Sequence, residues 1–134
     1  MRSLGGATLC LTLAGPLGAA AGPVEECQAK VRTQVEVSGC LAADLRAAER
    51  ALAAAASEAE RVAQDLDHAT GRPGAAQAVD VAQRRWLDFR EADCAVRAAL
   101  AAGGSGTDQF DLGCRIEMTR ARARELLGLA QGLW

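Results

Sequence analysis

The chain has 134 residues, of which 50% are hydrophobic and only 3% aromatic, and its 15 basic and 17 acidic side chains leave a net charge of −2. This length can form one small domain with its own core, but not two. The mildly acidic balance does not indicate a nucleic-acid partner, which would call for an excess of lysine and arginine.

Residues 1–21 have the three parts of a secretory signal peptide. Arg2 is the only charged residue in this segment, an apolar stretch runs from Leu4 to Ala14, and Ala19-Ala20-Ala21 stands at the end. The apolar stretch is too short for a transmembrane helix, which needs about 20 apolar residues. We therefore predict cleavage after this segment and a single domain over residues 22–134.

The first two cysteines lack the triplet that precedes a lipidated cysteine in lipoproteins, Leu-[Ala/Ser]-[Gly/Ala]. Cys10 follows Ala7-Thr8-Leu9, and Cys27 follows Val24-Glu25-Glu26. We therefore expect no stable membrane anchor and a product that is periplasmic or secreted.

The cysteine count indicates two disulfides. Cys10 lies in the predicted signal segment, and the remaining domain keeps four cysteines, Cys27, Cys40, Cys94 and Cys114. An even number in a small exported domain is typical of a disulfide framework, for which four cysteines allow three pairings. A zinc site is the alternative, but the chain has no C-x-x-C pair, so we predict no metal ligands.

Composition and spacing predict an all-α fold. Alanine, the best helix former, is abundant, and β-branched residues are sparse. Three stretches carry apolar residues at alternating steps of three and four, which predicts helices at about 33–69, 75–102 and 109–131. Helices joined by short connections pack antiparallel. The expected architecture is an elongated antiparallel three-helix bundle, stapled by two disulfides, with a short N-terminal arm over residues 22–32.

The first of these helices has the clearest limits. Thr33 and Glu36 form an S/T-x-x-E capping box at its start, and the segment 70–74, Thr-Gly-Arg-Pro-Gly, stops it. At the usual rise per residue it would be about 55 Å long, so we expect it to extend beyond its partners or bend around them. Ser38-Gly39 is expected to weaken its first turns.

The turn between the second and third helices favours one disulfide pairing. If these helices fold back at Gly104, residues at equal distances from it face each other, and Cys94 and Cys114 are each ten residues away. They would then lie within the Cα–Cα separation of about 4.4–6.8 Å that a disulfide requires. This leaves Cys27 to pair with Cys40.

Aromatic and polar residues fall on the inner stripes. Trp86 and Phe89 lie on the inner stripe of the second helix, where we expect core packing rather than a binding site. Asp93 lies on the same stripe, and a buried carboxylate needs a charged or hydrogen-bonding partner, which Arg90 or Arg122 would supply. We assign structural roles to six residues of the second and third helices: Trp86, Phe89, Arg90, Asp93, Thr119 and Arg122.

The sequence shows no set of residues for catalysis. His68 is the only histidine, and it lies at the end of the first helix, where we expect it to be solvated. No nucleophile and base are paired in the sequence, so we predict neither an enzyme nor a bound cofactor.

A glycine-rich segment, residues 103–111, connects the second and third helices. It lacks the G-K-[S/T] of a phosphate-binding loop and does not follow a strand. It is either a plain connector, with Thr107 or Asp108 as the N-cap of the next helix, or a rigid, exposed, acidic loop that binds a protein. On the second interpretation the contact residues are Ser105, Thr107, Asp108 and Asp111.

Residues 82–94, with the sequence AQRRWLDFREADC, resemble the A-Q-x-x-W-L-x-[F/Y]-R-[D/E]-A-x-C core of the LprI-type lysozyme inhibitor family. The family's C-x(4)-T-x-x-R-x-x-x-L arrangement is present from Cys114 to Leu126. Its opening, C…T-Q-x-E…C, is present from Cys27 to Cys40. The resemblance covers nearly the whole of the predicted domain.

This resemblance implies a protein that binds and blocks a lysozyme in the cell envelope or outside the cell. Lysozymes are commonly cationic, and an acidic protein would be attracted to them. Segment 103–111 entering the lysozyme cleft would block access of the glycan, with Asp108 and Asp111 as charge contacts. The alternative is a non-enzymatic envelope module that binds a protein or a cell-wall polymer through its helical faces.

Overall fold

The computed structural model describes residues 21–101, 103–104 and 106–133. This part of the chain contains no strand and four helices, which we number α1 (Pro23–Gln28), α2 (Gln34–Thr70), α3 (Ala75–Leu100) and α4 (Thr107–Ala130). The all-α class is confirmed. The predicted count of three helices is wrong, because part of the expected N-terminal arm forms α1. The predicted signal segment, except for Ala21, lies outside the described residues.

α1 is a short helix that begins with a proline. Pro23 occupies the first turn, where its missing N–H costs nothing, because the first N–H groups of a helix have no partner within it. With six residues, α1 is too short to show the 3.6-residue period from which helices are predicted. The sequence pattern therefore does not reveal it.

α2 begins at the predicted capping box. The Thr33 hydroxyl accepts a hydrogen bond from the backbone N–H of Glu36 at 3.2 Å, and the Glu36 carboxylate accepts one from the N–H of Thr33 at 2.9 Å. The hydrogen bond from the backbone N–H of Thr33 is the main cause that lowers the pKa of Glu36, and the hydrogen bond from the Thr33 hydroxyl is the next. The helix continues through Ser38-Gly39 without a break and ends at Gly71, whose φ of 64° is left-handed.

The N-terminus of α3 is capped from the preceding helix. Its own N-cap residue, Gly74, has no side chain to offer, and the Asp67 carboxylate accepts hydrogen bonds from the N–H groups of Ala75 at 2.9 Å and Ala76 at 3.2 Å. These hydrogen bonds lower the pKa of Asp67 below its ordinary value, and the bond from Ala75 has the larger effect. Asp67 thus fixes the turn between α2 and α3.

The Asp67 cap should make the stability depend on pH in the acid range. A carboxyl group whose pKa is lower in the folded protein contributes stability above its unfolded pKa of about 3.9, and this contribution is lost as the pH falls through the folded pKa. Asp67→Asn should therefore lower Tm at neutral pH, and the difference in Tm between this variant and the unaltered protein should shrink below about pH 4. Thermal unfolding followed by circular dichroism measures the Tm of both proteins at neutral and at acid pH. A difference in Tm that does not change with pH would contradict the role of the charge.

α4 runs parallel to α2 and antiparallel to α3. Gln109, near its start, contacts Gln34 and Ser38, whereas Arg120, further along, contacts Asp44. Two clusters of buried residues fill the space between these helices. One cluster comprises Cys27, Val37, Leu41 and Ile116, and the other comprises Leu52, Ala55, Ala59, Ala123 and Leu126.

Both predicted disulfides are present. Cys27 of α1 joins Cys40 of α2 with their Cα atoms 5.8 Å apart, and Cys94 of α3 joins Cys114 of α4 with a Cα separation of 5.6 Å. The second bond confirms the register of the α3–α4 hairpin that the distances from Gly104 predicted. We call the end of the bundle that holds both bonds the disulfide end.

α3 faces the core only in part as predicted. Val79 and Trp86 of the predicted stripe pack against the cluster around Leu52, but the buried residues of α3 lie off that stripe. These buried residues are spaced by four positions and comprise Arg90, Cys94 and Ala98. Phe89 is 57% exposed, so the prediction that it packs in the core is wrong. Because an arginine occupies this inner face, apolar residues do not mark it, and the hydrophobic stripe read from the sequence is displaced to one side.

The predicted partner of Asp93 is also wrong. Its carboxylate pairs with Arg97, one turn along the same helix, at 2.7 Å, rather than with Arg90 or Arg122. The side chain of Asp93 is only partly buried, at 27% exposed, so solvent and a neighbouring arginine are enough to stabilise its charge.

Candidate protein-binding site at the disulfide end

A buried glutamine fixes the start of α4 to the start of α2. The side-chain Nε2 group of Gln109 lies 2.7 Å from Oε1 of Gln34, 3.2 Å from the carbonyl oxygen of Gln34 and 3.3 Å from the Ser38 hydroxyl. Buried amide N–H groups need such acceptors, so these contacts set the position of the first turn of α4. This role of Gln109 is not predictable from the sequence, because a glutamine carries no signal of a partner 75 residues away.

More than half of the predicted binding loop is helix. α4 begins at Thr107, and Gly106 is its N-cap, so neither Thr107 nor Asp108 has the predicted capping role. The Thr107 hydroxyl donates a hydrogen bond to the carbonyl oxygen of Gly104 at 2.8 Å, which directs this side chain back towards the connection. Ser105, the remaining predicted contact of this connection, lies outside the described residues.

The two aspartates predicted as charge contacts differ in their surroundings. Asp108 is exposed on the first turn of α4 and forms no ion pair with any residue that the structure describes. Asp111 pairs with Arg115 at 2.8 Å, and Arg115 also pairs with Glu91 of α3 at 2.8 Å. Asp111 therefore joins α4 to α3, whereas Asp108 is open to a partner.

Phe110 exposes an aromatic ring beside α1. The residue is 57% exposed and lies between two concave surfaces, of about 300 Å³ and about 220 Å³, both of which Val24 of α1 also lines. The position of Phe110 within segment 103–111 is the one signal in the sequence that points to this residue.

A second group of predicted residues meets in the middle of the bundle. The Arg90 guanidinium, whose side chain is 8% exposed, donates hydrogen bonds to the Thr119 hydroxyl at 2.8 Å and to the Glu91 carboxylate at 2.7 Å. Its central carbon lies 5.7 Å from the centre of the Trp86 ring, and that of Arg122 lies 5.9 Å from the same centre. Two cations therefore contact one tryptophan ring, at the distance of cation–π interactions.

These contacts have a structural role, because they join α3 to α4. Arg122 also donates a hydrogen bond from Nε to the side-chain oxygen of Gln83 on α3, at 3.1 Å. Of the six residues predicted to be structural, four come together here and two, Phe89 and Asp93, do not.

One group of possible metal ligands stands together among the described residues, namely Cys27, Cys40 and Asp44. Both sulfur atoms belong to the disulfide, and Asp44 pairs with Arg120 at 3.2 Å, so this group does not fit a metal ion. His68 is exposed at the end of α2, at the opposite end of the bundle.

Comparison with known proteins identifies the family. The sequence profile described as Lysozyme inhibitor LprI matches residues 25–126, which include the four disulfide cysteines and reach from α1 into the last turns of α4. The chain belongs to the LprI lysozyme inhibitor family. A relative, an uncharacterized protein of Rhizobium meliloti (strain 1021), is 32% identical over 116 residues, which cover 81% of each chain. No solved structure matches the chain.

The residues by which this chain resembles the LprI family mainly hold the bundle together. The four cysteines close the disulfide end, and Trp86, Arg90 and Thr119 meet between α3 and α4. Asp108 and Phe110, which are open to a partner, are not among these positions. The residues of the LprI motif therefore determine the fold, whereas the exposed residues at the start of α4 are the candidates for contact with a partner.

Proposed function

We propose that this protein is an exported lysozyme inhibitor, which binds a muramidase in the periplasm or outside the cell and blocks its access to peptidoglycan. The match to the LprI family over residues 25–126 is the observation that carries this proposal. Two disulfides suit an oxidising compartment. No helix in the described ranges is long and apolar enough to cross a membrane. The protein would act by binding, without catalysis or a cofactor.

The disulfide end is the part of the molecule best suited to this role. The Cys94–Cys114 bond and the contacts of Gln109 hold the start of α4, so its exposed groups meet a partner with little loss of conformational entropy. Asp108 is an exposed carboxylate on the first turn of α4 and would contact basic groups of the lysozyme. Asp111, which is engaged with Arg115, would support α4 instead.

A muramidase assay tests the proposal. Purified protein comprising residues 22–134 is mixed with lysozymes of several classes, and the clearing of a peptidoglycan suspension is followed by turbidity. We expect micromolar protein to slow the clearing. Unchanged clearing with every lysozyme class would contradict inhibition and favour the alternative, an envelope module that binds another protein or a cell-wall polymer. A pull-down from envelope extract or host fluid would then identify that partner.

Reversing the charge of Asp108 should weaken inhibition. An exposed ion pair contributes about 1 kcal/mol or less, so Asp108→Lys should raise the inhibitory concentration about two- to fivefold, mainly through slower association. The matched control is Asp88→Lys, which reverses the charge of an exposed aspartate in the middle of α3. Equal effects of the two variants would show that only net charge matters and that Asp108 is not a contact.

A further inference from the structure

Phe110 is placed where an apolar anchor of a protein interface would be. The residue is more than half exposed, yet it lines two concave surfaces, both of which Val24 also borders. Interfaces draw most of their binding energy from a few aromatic or arginine side chains that fill such complementary surfaces. The rest of the fold does not need this ring, because Gln109 and the disulfide hold the start of α4.

The surface around Phe110 is held in shape by a close contact between α1 and α4. A Cβ atom placed on Gly113 of α4 would lie 2.9 Å from Cγ2 of Val24, closer than real Cβ contacts, so only glycine lets α1 come this near. The Cys27–Cys40 bond ties α1 to α2 on the other side. Val24 therefore stays beside Phe110, and the surface is preorganised for a partner.

The charges around this surface leave an excess of carboxylates. Glu25 and Glu117 approach each other across Gly22, since a Cβ on that glycine would lie 2.8 Å from the carboxylate of Glu25 and 3.1 Å from that of Glu117. Neither glutamate forms an ion pair with a residue in the described ranges. Arg97, which lines the same concave surface, is neutralised by Asp93 at 2.7 Å.

Arg120, the neighbouring cation of α4, is also neutralised. It pairs with Glu26 at 3.4 Å and with Asp44 at 3.2 Å. Cleavage after Ala21 would place the α-ammonium group of Gly22 beside Glu25 and Glu117, and the two carboxylates still exceed this single cation. Arg124 lines a concave surface with Glu117 that Phe110 does not border. The potential near Phe110 is therefore negative, and a cationic partner is favoured.

We infer that Phe110, framed by Glu25 and Glu117, is the apolar centre of the contact with the lysozyme. This inference rests on the proposed function and names the surface that performs it. A lysine or arginine of the lysozyme would lay its alkyl chain against the Phe110 ring and bring its charge to the two glutamates. Asp108 and Phe110 lie about 200° apart around α4, so a partner that contacts both must surround the start of this helix. That geometry fits an element inserted into a cleft.

The two phenylalanines of the chain provide a matched test. Phe110 and Phe89 are both 57% exposed, and both lie on helices, so each can be replaced by alanine with little effect on folding. Phe110→Ala should raise the inhibitory concentration and the Kd for the lysozyme at least about tenfold, whereas Phe89→Ala should change them less than about twofold. Circular dichroism and thermal unfolding of both variants show that they are folded.

The Glu117→Lys variant provides a second, independent test of the same surface. It should weaken binding and reduce its dependence on salt, because it removes an attraction that salt screens. If the unaltered protein inhibits a lysozyme and the Phe110→Ala and Glu117→Lys variants inhibit it equally well, this inference is overturned and the proposed function stays intact. Unaltered protein that binds no lysozyme would overturn both.

Discussion

Replacing Cys94 and Cys114 together by alanine should lower the free energy of unfolding by about 3 kcal/mol, because the bond joins positions 20 residues apart and restricts the unfolded chain. The loss should be felt most in α3. This helix buries only Arg90, Cys94 and Ala98, so it depends on the disulfide more than α2 or α4 does. A loss of this size is a large fraction of the net stability of a small domain.

Urea unfolding followed by circular dichroism measures the loss, and amide hydrogen exchange shows where it falls. The matched control replaces Cys27 and Cys40, a bond that spans 13 residues and should contribute a similar amount of about 3 kcal/mol. The control should release α1 and leave the amides of α3 protected. Protection of α3 that is equal in the two double variants would contradict the special dependence of α3 on Cys94–Cys114.

Arg90→Ala should lower the free energy of unfolding by about 2–3 kcal/mol, because it leaves the buried Thr119 hydroxyl without its donor and removes a buried side chain. The substitution removes the donor to the Thr119 hydroxyl and the cation beside Trp86, and it leaves a cavity between α3 and α4. Arg90→Met should cost less, because it keeps most of the packing of the arginine stem.

Chemical unfolding of these variants beside Arg84→Ala tests this expectation. Arg84 lies on the same helix, and its exposed side chain pairs with Asp80, so its removal should change stability by no more than about 0.5 kcal/mol. A loss for Arg90→Ala as small as that for Arg84→Ala would mean that the network around Arg90 does not hold α3.

Local signals explain why α2 and the hairpin register are predictable from the sequence. Thr33 and Glu36 lie within one turn of each other, and Gly71 stops the helix through its own backbone conformation. The Cys94–Cys114 pair follows from helix geometry alone, since two helices that fold back at Gly104 face each other residue by residue.

The missed features depend on partners distant in the sequence or on a face that hydrophobicity does not mark. Arg90 is buried because Thr119, on another helix, accepts its hydrogen bond, and this displaces Phe89 to the surface. Asp67 caps a helix that begins eight residues later. Phe110 is visible as a candidate contact only once α1 is seen to pack beside it, and the pattern of the sequence does not reveal α1.

The length of α2 separates the two ends of the molecule. Its 37 residues place the α2–α3 turn about 55 Å from the disulfide end. A rod of this length can be tethered at one tip while the other tip stays free, so an affinity tag or a fluorescent label inserted at the exposed Gly71–Gly74 turn should not collide with a protein bound at the disulfide end. The same separation would let two proteins occupy the molecule at once, one at each tip, without touching.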